Sequence, residues 1–364
     1  MNKKEIKEIQ KQFTMENISI REICTVYVDF NKNVICSSTG QFLTMPQSEQ
    51  FKYMRILSKT LSGKQGKNLV QKEIIDSERK QWLERVRREM KWEDMVNEII
   101  GSYKYAENYM IVLIRGLYDI PGKATDGSEM EDASEEVYDY IMCSLCPVHT
   151  GDAVLTYDST QNRIKSRDRE FWVDEPLDGF LWPAFSDRSE DRENMMIYRK
   201  KPEEMQESML YSLTGNQDMT TPKKEKEKFM KLLDDVLGRE KDYLTMQTIF
   251  INLYEIQLEN RENPELLKIG KEELEQVLNL AEVSDEALKR LEQRVGEDEE
   301  FIVSNVLDAK YKVETDIAEV KARPEHADKI VTRIIDGQQW LMVPAGAEIE
   351  VNGISADVEE RKAL

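Results

Sequence analysis

Apolar residues recur along this chain in two rhythms, one helical and one alternating. Residues 3–13 place Ile6, Ile9 and Phe13 at helical spacing. After Asn17 the run Ile23–Val28, the turn Asn31-Lys32-Asn33 and the run Val34–Cys36 read as a hairpin. Phe51, Met54, Leu57 and Leu61 mark a helix that stops at Gly63, and Trp82, Val86, Met95, Ile99 and Ile100 mark one or two more. The uninterrupted run Tyr109–Ile114, rich in β-branched residues, has the composition of a strand covered on both faces, and Val137–Val148 predicts a second central strand. Ala153–Tyr157, Phe171–Val173, Gly179–Phe185 and Met195–Tyr198 follow as short strands whose Asp, Asn, Gly and Pro separators favour antiparallel pairing.

From Pro202 the helical rhythm takes over: Met205–Leu213, Phe229–Leu237, Tyr243–Leu258, Leu274–Leu280 and Ala287–Val295. Thr221-Pro222 and Ser284-Asp285-Glu286 carry helix start signals, a capping hydroxyl followed by proline or acids in the first turn. Beyond the polar run 296–300, Lys312–Glu314, Ile330–Ile335 and Trp340–Val343, with turns at Asp336-Gly337 and Asn352-Gly353, predict a small β unit. The expected class is α+β: an α/β domain over 1–198 with a mixed or antiparallel sheet, a helical domain over 199–296, a small β unit over 297–354 and a tail over 355–364.

Charge divides the chain. Residues 1–120 hold 20 Lys/Arg against 16 Asp/Glu, whereas 121–364 hold 31 against 55, so the net charge of −20 belongs to the second part. With 40% apolar and 34% charged residues the chain is expected to fold rather than stay disordered. The opening residues lack a secretory apolar stretch, and no run approaches the roughly 20 apolar residues that span a bilayer, so a cytoplasmic protein with no membrane partner is expected. Four cysteines in 364 residues are too few for a disulfide framework.

The candidate chemistry is sparse. Ser62–Asn68 is a basic, glycine-containing loop whose Lys64 and Lys67 suit phosphate, although its spacing is not that of a Walker A motif. With Arg79, Lys80, Arg85, Arg87, Arg88 and Lys91 it forms the basic concentration of the chain. These residues read either as phosphate contacts or as a solvated face interleaved with Glu78, Glu84 and Glu89. Cys143 and Cys146 have the spacing of half a zinc site, and Cys24, Cys36 and His149 would extend it. In a regular strand, however, side chains three apart point to opposite faces, and buried small apolar residues are the simpler reading. The acids Asp126, Glu129, Glu131, Asp132, Glu135 and Glu136 do not match a calcium loop, and a solvated loop is expected there. The aromatic run from Gly179 to Arg188 reads as core plus turn. Two histidines and no Gly-x-Ser-x-Gly or His-Glu-x-x-His leave little material for a triad or a zinc hydrolase, and no cofactor is expected.

Met1–Phe13 with Asn17, Lys59–Gly63 with Gly66-Lys67-Asn68, Tyr118–Lys123, Met130–Ser134, Cys143–Val148, Pro183-Ala184-Phe185 with Asp187-Arg188-Ser189, and Ile335-Asp336-Gly337 together resemble a family of bacterial cytoplasmic proteins, mainly from Gram-positive anaerobes, catalogued only as a domain of unknown function. The order of elements is similar, more distantly, to the bacterial nucleoid-associated proteins, and this resemblance implies a role at the chromosome. The function expected from the sequence is a non-enzymatic binding protein. Residues 64–91 would approach nucleic acid or an acidic partner, and the acidic C-terminal helices would recruit proteins. A metal-assisted or phosphate-handling enzyme and a pure protein adaptor are the alternatives.

Overall fold

The computed structural model describes residues 1–123, 129–130, 136–167, 170–218, 220–346 and 349–356. They form two compact units: one comprises Met1–Lys224 with Asn263–Leu266, the other Glu225–Glu262 and the chain from Leu267 onward. Among the described residues, no helix is long and apolar enough to cross a membrane.

The first unit is built on one sheet. Its strands are β1 (Ile20–Val28), β2 (Val34–Gln41), β3 (Leu69–Glu73), β4 (Tyr109–Ile120), β5 (Glu136–Thr150), β6 (Phe171–Val173), β7 (Asp178–Trp182) and β8 (Asn194–Arg199). The order is β2-β1-β4-β5-β7-β8-β3, with β6 paired to the end of β5, and every pairing is antiparallel. The expected choice between a mixed and an antiparallel sheet therefore resolves to antiparallel.

Helices cover both faces of this sheet. On one face α1 (Lys3–Lys11) and α2 (Gln47–Thr60) bury Ile9, Met54 and Leu57 against Val112, Ile114 and Met142. On the other, α3 (Ser77–Glu89), α4 (Trp92–Ser102) and α5 (Glu207–Thr214) bury Leu83, Val86, Met95, Ile99 and Leu213 against Ile111, Leu113, Ile141 and Leu145. Successive residues of β4 thus serve opposite cores, which is why its sequence is apolar without alternation. Each such fully buried aliphatic side chain contributes about 1.5–3 kcal/mol.

Strands also exceed the expectation, β2 and β3 among them. β2 extends to Gln41 because its ladder with β1 continues as far as Glu22 opposite Gln41. β3 has no strand-like pattern of its own and is set by its register on β8, Leu69 opposite Tyr198 through Glu73 opposite Asn194. The division between units also falls later than the expected boundary at 198/199. Met209, Leu210 and Leu213 of α5 pack into the first unit's core, which holds the chain there through Lys224.

In the second unit, α6 (Pro222–Leu237) from Glu225 onward, α7 (Tyr243–Glu259), α8 (Lys271–Leu280) and α9 (Asp285–Arg294) share one core with Phe301, Val303, Val306, Tyr311 and Ile330. The helices and the β segment expected as separate domains at 296/297 therefore belong to one unit. The anticipated caps are present: Lys224 N–H donates to Thr221 Oγ1 at 3.3 Å and Ala287 N–H to Ser284 Oγ at 3.3 Å. Asp336-Gly337 and Asn352-Gly353 close hairpins with positive φ at both central residues, 51° and 78° in the first and 51° and 83° in the second, as two-residue turns require. Of the expected tail, 357–364 lies outside the described residues.

Candidate functional site

The basic helix does not stand free. The Asp76 side chain caps α3, accepting from Glu78 and Arg79 N–H, and its cations are then engaged one by one. Arg79 pairs with Glu98 at 3.2 Å, Lys80 with Glu193, and Lys91 with Glu89 at 2.6 Å. Arg88 Nε reaches the Glu84 carbonyl at 3.5 Å, and Arg85 alone of these cations carries no ion pair or hydrogen bond among the described residues. Arg87 is only 3% exposed. It lies over the Trp182 ring at 5.2 Å, donates to the Asp139 carbonyl at 2.5 Å, and pairs with Glu84 at 2.9 Å and Glu190 at 3.1 Å. As a proposed phosphate contact Arg87 is corrected: its guanidinium is an internal strut between α3 and the sheet.

The Ser62–Asn68 loop uses its own backbone donors. Gly66 N–H bonds to Leu69 O, Lys67 and Asn68 N–H to Lys64 O, and Lys64 N–H to Asn68 Oδ1. Asn68 Nδ2 ties the loop to Arg199 O and Lys200 O, so a phosphate cradle would have to break bonds that hold β3 to β8. Lys64 is exposed and Lys67 half-buried.

The cysteines do not converge. β5 runs against β4 without a register break, so Cys143 lies in the α3–α5 core while Cys146 shares the opposite face with Met142 and Ser144. Burial pushes both thiols up, Cys146 beyond the range of a reactive thiol. Cys24 is buried opposite Thr39, and Cys36 is exposed opposite Tyr27. The metal alternative through Cys24, Cys36, Cys143 and Cys146 is thereby corrected. Among the described residues no group of three or more His, Cys, Asp or Glu side chains has metal-holding geometry. Asp126, Glu131, Asp132 and Glu135 of the acidic segment lie outside the described residues. Phe180, Trp182 and Phe185 are core, as expected for that run.

A groove of about 1470 Å³ opens instead on the other face of the first unit. It is lined by the end of α1 and the turn after it, by α2, and by Trp172–Glu175 at and after β6. Along α2, Lys52, Arg55 and Lys59 recur at i, i+3 and i+7, opposite the buried Met54 and Leu57. Lys11, Lys52 and Arg55 carry no ion pair among the described residues, whereas Lys59 reaches Glu175 at 3.3 Å. Exposed aromatics lie beside them, Phe51 at 55% and Trp172 at 48%. Four acids also line the groove. Glu175 is held by Lys59 and Lys200, Asp174 stands 3.5 Å from His149, and Glu16 and Glu49 remain.

A family model described as a domain of unknown function, DUF4317, matches residues 1–354. The chain belongs to that family. No curated protein and no solved structure matches it significantly. The DUF4317 match covers both units, so the groove and the helical second unit are parts of one family architecture.

The groove of this DUF4317 protein is the site that the sequence reading missed. Its signal was present: cations at i, i+3 and i+7 on a helix whose apolar positions face elsewhere. No local pattern, however, joins α2 to Trp172, 120 residues downstream of Lys52.

Proposed function

We infer that this protein is a non-catalytic cytoplasmic binding protein whose groove over α2 takes single-stranded nucleic acid. The observation that carries the reading is the association of unpaired Lys52 and Arg55 with exposed Phe51 and Trp172 along one groove. Cations that track a phosphate backbone beside aromatic rings that stack on bases are the working parts of single-strand sites. Single strands fit better than duplex because the bases of a duplex are already stacked and present no face to Phe51 or Trp172. The acidic second part of the chain repels phosphate and leaves that surface to protein partners.

The test is fluorescence anisotropy with a labelled oligothymidine and a matched duplex across a salt series. Binding to the single strand at low salt, weakened about tenfold or more by Lys52→Glu with Arg55→Glu, is expected. The slope of log K against log salt should fall by about 1.4 for the two lost contacts. Trp172→Ala should weaken binding without changing that slope, and Arg85→Glu with Arg88→Glu should leave single-strand affinity unchanged. Wild-type protein that ignores the single strand at low salt would overturn the reading, as would a double α2 variant that binds as tightly as wild type. Duplex binding lost only in the Arg85/Arg88 variant would return the site to α3.

A further inference from the structure

At the end of the sheet beneath α5, a small cavity of about 10 Å³, room for a single small occupant, lies among charged groups. Asp178 of β7 and Arg199 of β8 are direct cross-strand partners, and Lys72 of β3 lines the same cavity. All three are buried: Arg199 is 3% exposed, Asp178 6% and Lys72 8%. Two have partners. Tyr103, at the end of α4, donates to Asp178 Oδ2 at 2.9 Å, and Lys72 Nζ bonds to the Asp218 carbonyl at 3.1 Å and its carboxylate at 2.6 Å.

Arg199 is different. Its Nε and Nη1 are buried and have no hydrogen-bond partner, and no carboxylate forms an ion pair with it among the described residues. A buried guanidinium left without close compensation is costly by several kcal/mol, so an unfilled pair of donors on a cavity wall calls for an acceptor there. Of the remaining walls, Val70, Ile197, Met205, Met209 and Leu210 are apolar, and the side-chain carbonyl of Gln206 already accepts from Lys104 N–H at 3.1 Å.

We propose that this cavity holds a single halide-sized monovalent anion, chloride in the cell, bound by Arg199 Nε and Nη1. The space excludes carboxylates and phosphates, which need several heavy atoms of room. The anion would meet the charges of Asp178 across the ladder, Asp218 beyond Lys72, and Glu203 and Glu204 in the segment leading to α5, with Lys72 on the attractive side and the one hydroxyl proton of Tyr103 already given to Asp178. Burial lifts the Asp178 carboxyl to about 6, against the pull of Tyr103 and Arg199. When it ionises it competes with the anion for Arg199, and when it is protonated it does not. Chloride uptake is therefore coupled to a proton on Asp178 and should be about tenfold tighter at pH 5 than at pH 7, the ratio of protonated fractions.

The experiment is chlorine-35 NMR of the full chain at constant ionic strength, with gluconate as the balancing anion. Excess line width at pH 5 that bromide competes away, is smaller at pH 7, and is absent from Arg199→Gln with an intact near-ultraviolet circular dichroism spectrum is expected. A crystal soaked in bromide provides the reading that needs no variant: an anomalous peak in hydrogen-bond reach of Arg199 Nε. No excess broadening at pH 5, or a water in the cavity with bromide elsewhere, would overturn the proposal. Neither readout depends on nucleic-acid binding.

Discussion

Replacing Arg87 by methionine separates the two meanings of the basic helix. The aliphatic stem is kept in volume, but the guanidinium bonds to the Asp139 carbonyl at 2.5 Å, Glu84 at 2.9 Å and Glu190 at 3.1 Å are lost together with the contact over Trp182. Glu84 and Glu190, each with a side chain 16% exposed, then face one another with less compensation; Arg192, itself 55% exposed, still reaches both. Removing one partner from a buried ionic cluster costs about 3–5 kcal/mol, and the residual pairing through Arg192 places the expectation near the lower end, about 3 kcal/mol. The same substitution at exposed Arg85 should change stability by less than about 0.5 kcal/mol. Urea unfolding followed by tryptophan fluorescence reads the right unit, because Trp82, Trp92, Trp172 and Trp182 all lie in the first unit and only Trp340 in the second. Adding Glu84→Gln and Glu190→Gln to Arg87→Met should recover part of the loss, since the stranded charges disappear with their partner. A loss below about 1 kcal/mol for Arg87→Met, or none recovered by the triple variant, would refute the assignment of Arg87 as a strut.

Three further outcomes follow from the same structure. Gly179→Ala should destabilise the first unit by about 2–3 kcal/mol, because a Cβ there would stand 2.4 Å from the Cys143 carbonyl oxygen and 2.5 Å from Thr60 Cγ2; Gly40→Ala, with nothing within 4 Å, is the near-neutral control, both read by urea denaturation. Asp178 has a folded pKa of about 6, above the unfolded value near 3.8, so the folded state holds the extra proton and stability falls as pH rises from about 4 to about 6. The difference between wild type and Asp178→Asn should trace that fall, at most about 3 kcal/mol, and a difference flat with pH would contradict it. In native protein a thiol reagent such as Ellman's should titrate Cys36 quickly and leave Cys24, Cys143 and Cys146 until denaturant is added; more than one fast thiol would contradict their burial.

Much of the fold was legible in local pattern, because local physics decides it. Tyr109–Ile114 is apolar at every position since both faces of β4 are covered. Asp336-Gly337 and Asn352-Gly353 turn the chain because these residues tolerate positive φ, and Thr221 and Ser284 start helices because their hydroxyls accept a free N–H. The opposite orientation of Cys143 and Cys146 followed from strand geometry alone. By itself, then, the sequence determined most of the segments that become helices and strands and which side of most of them is apolar.

Only the tertiary structure decided what each face meets. Leu69–Glu73 became a strand because β8 offered it a ladder, and α5 joined the first unit because the sheet had a face for it to cover. Lys80 lost its freedom to Glu193, 113 residues away, and Arg87 to Glu190, 103 residues away, while Lys52 and Arg55 kept theirs. Unlike helical or strand periodicity, a charge's availability depends on partners brought near by the whole topology. For that reason the cations most conspicuous in the sequence are largely spent within the fold, while Lys52 and Arg55 of α2 are not.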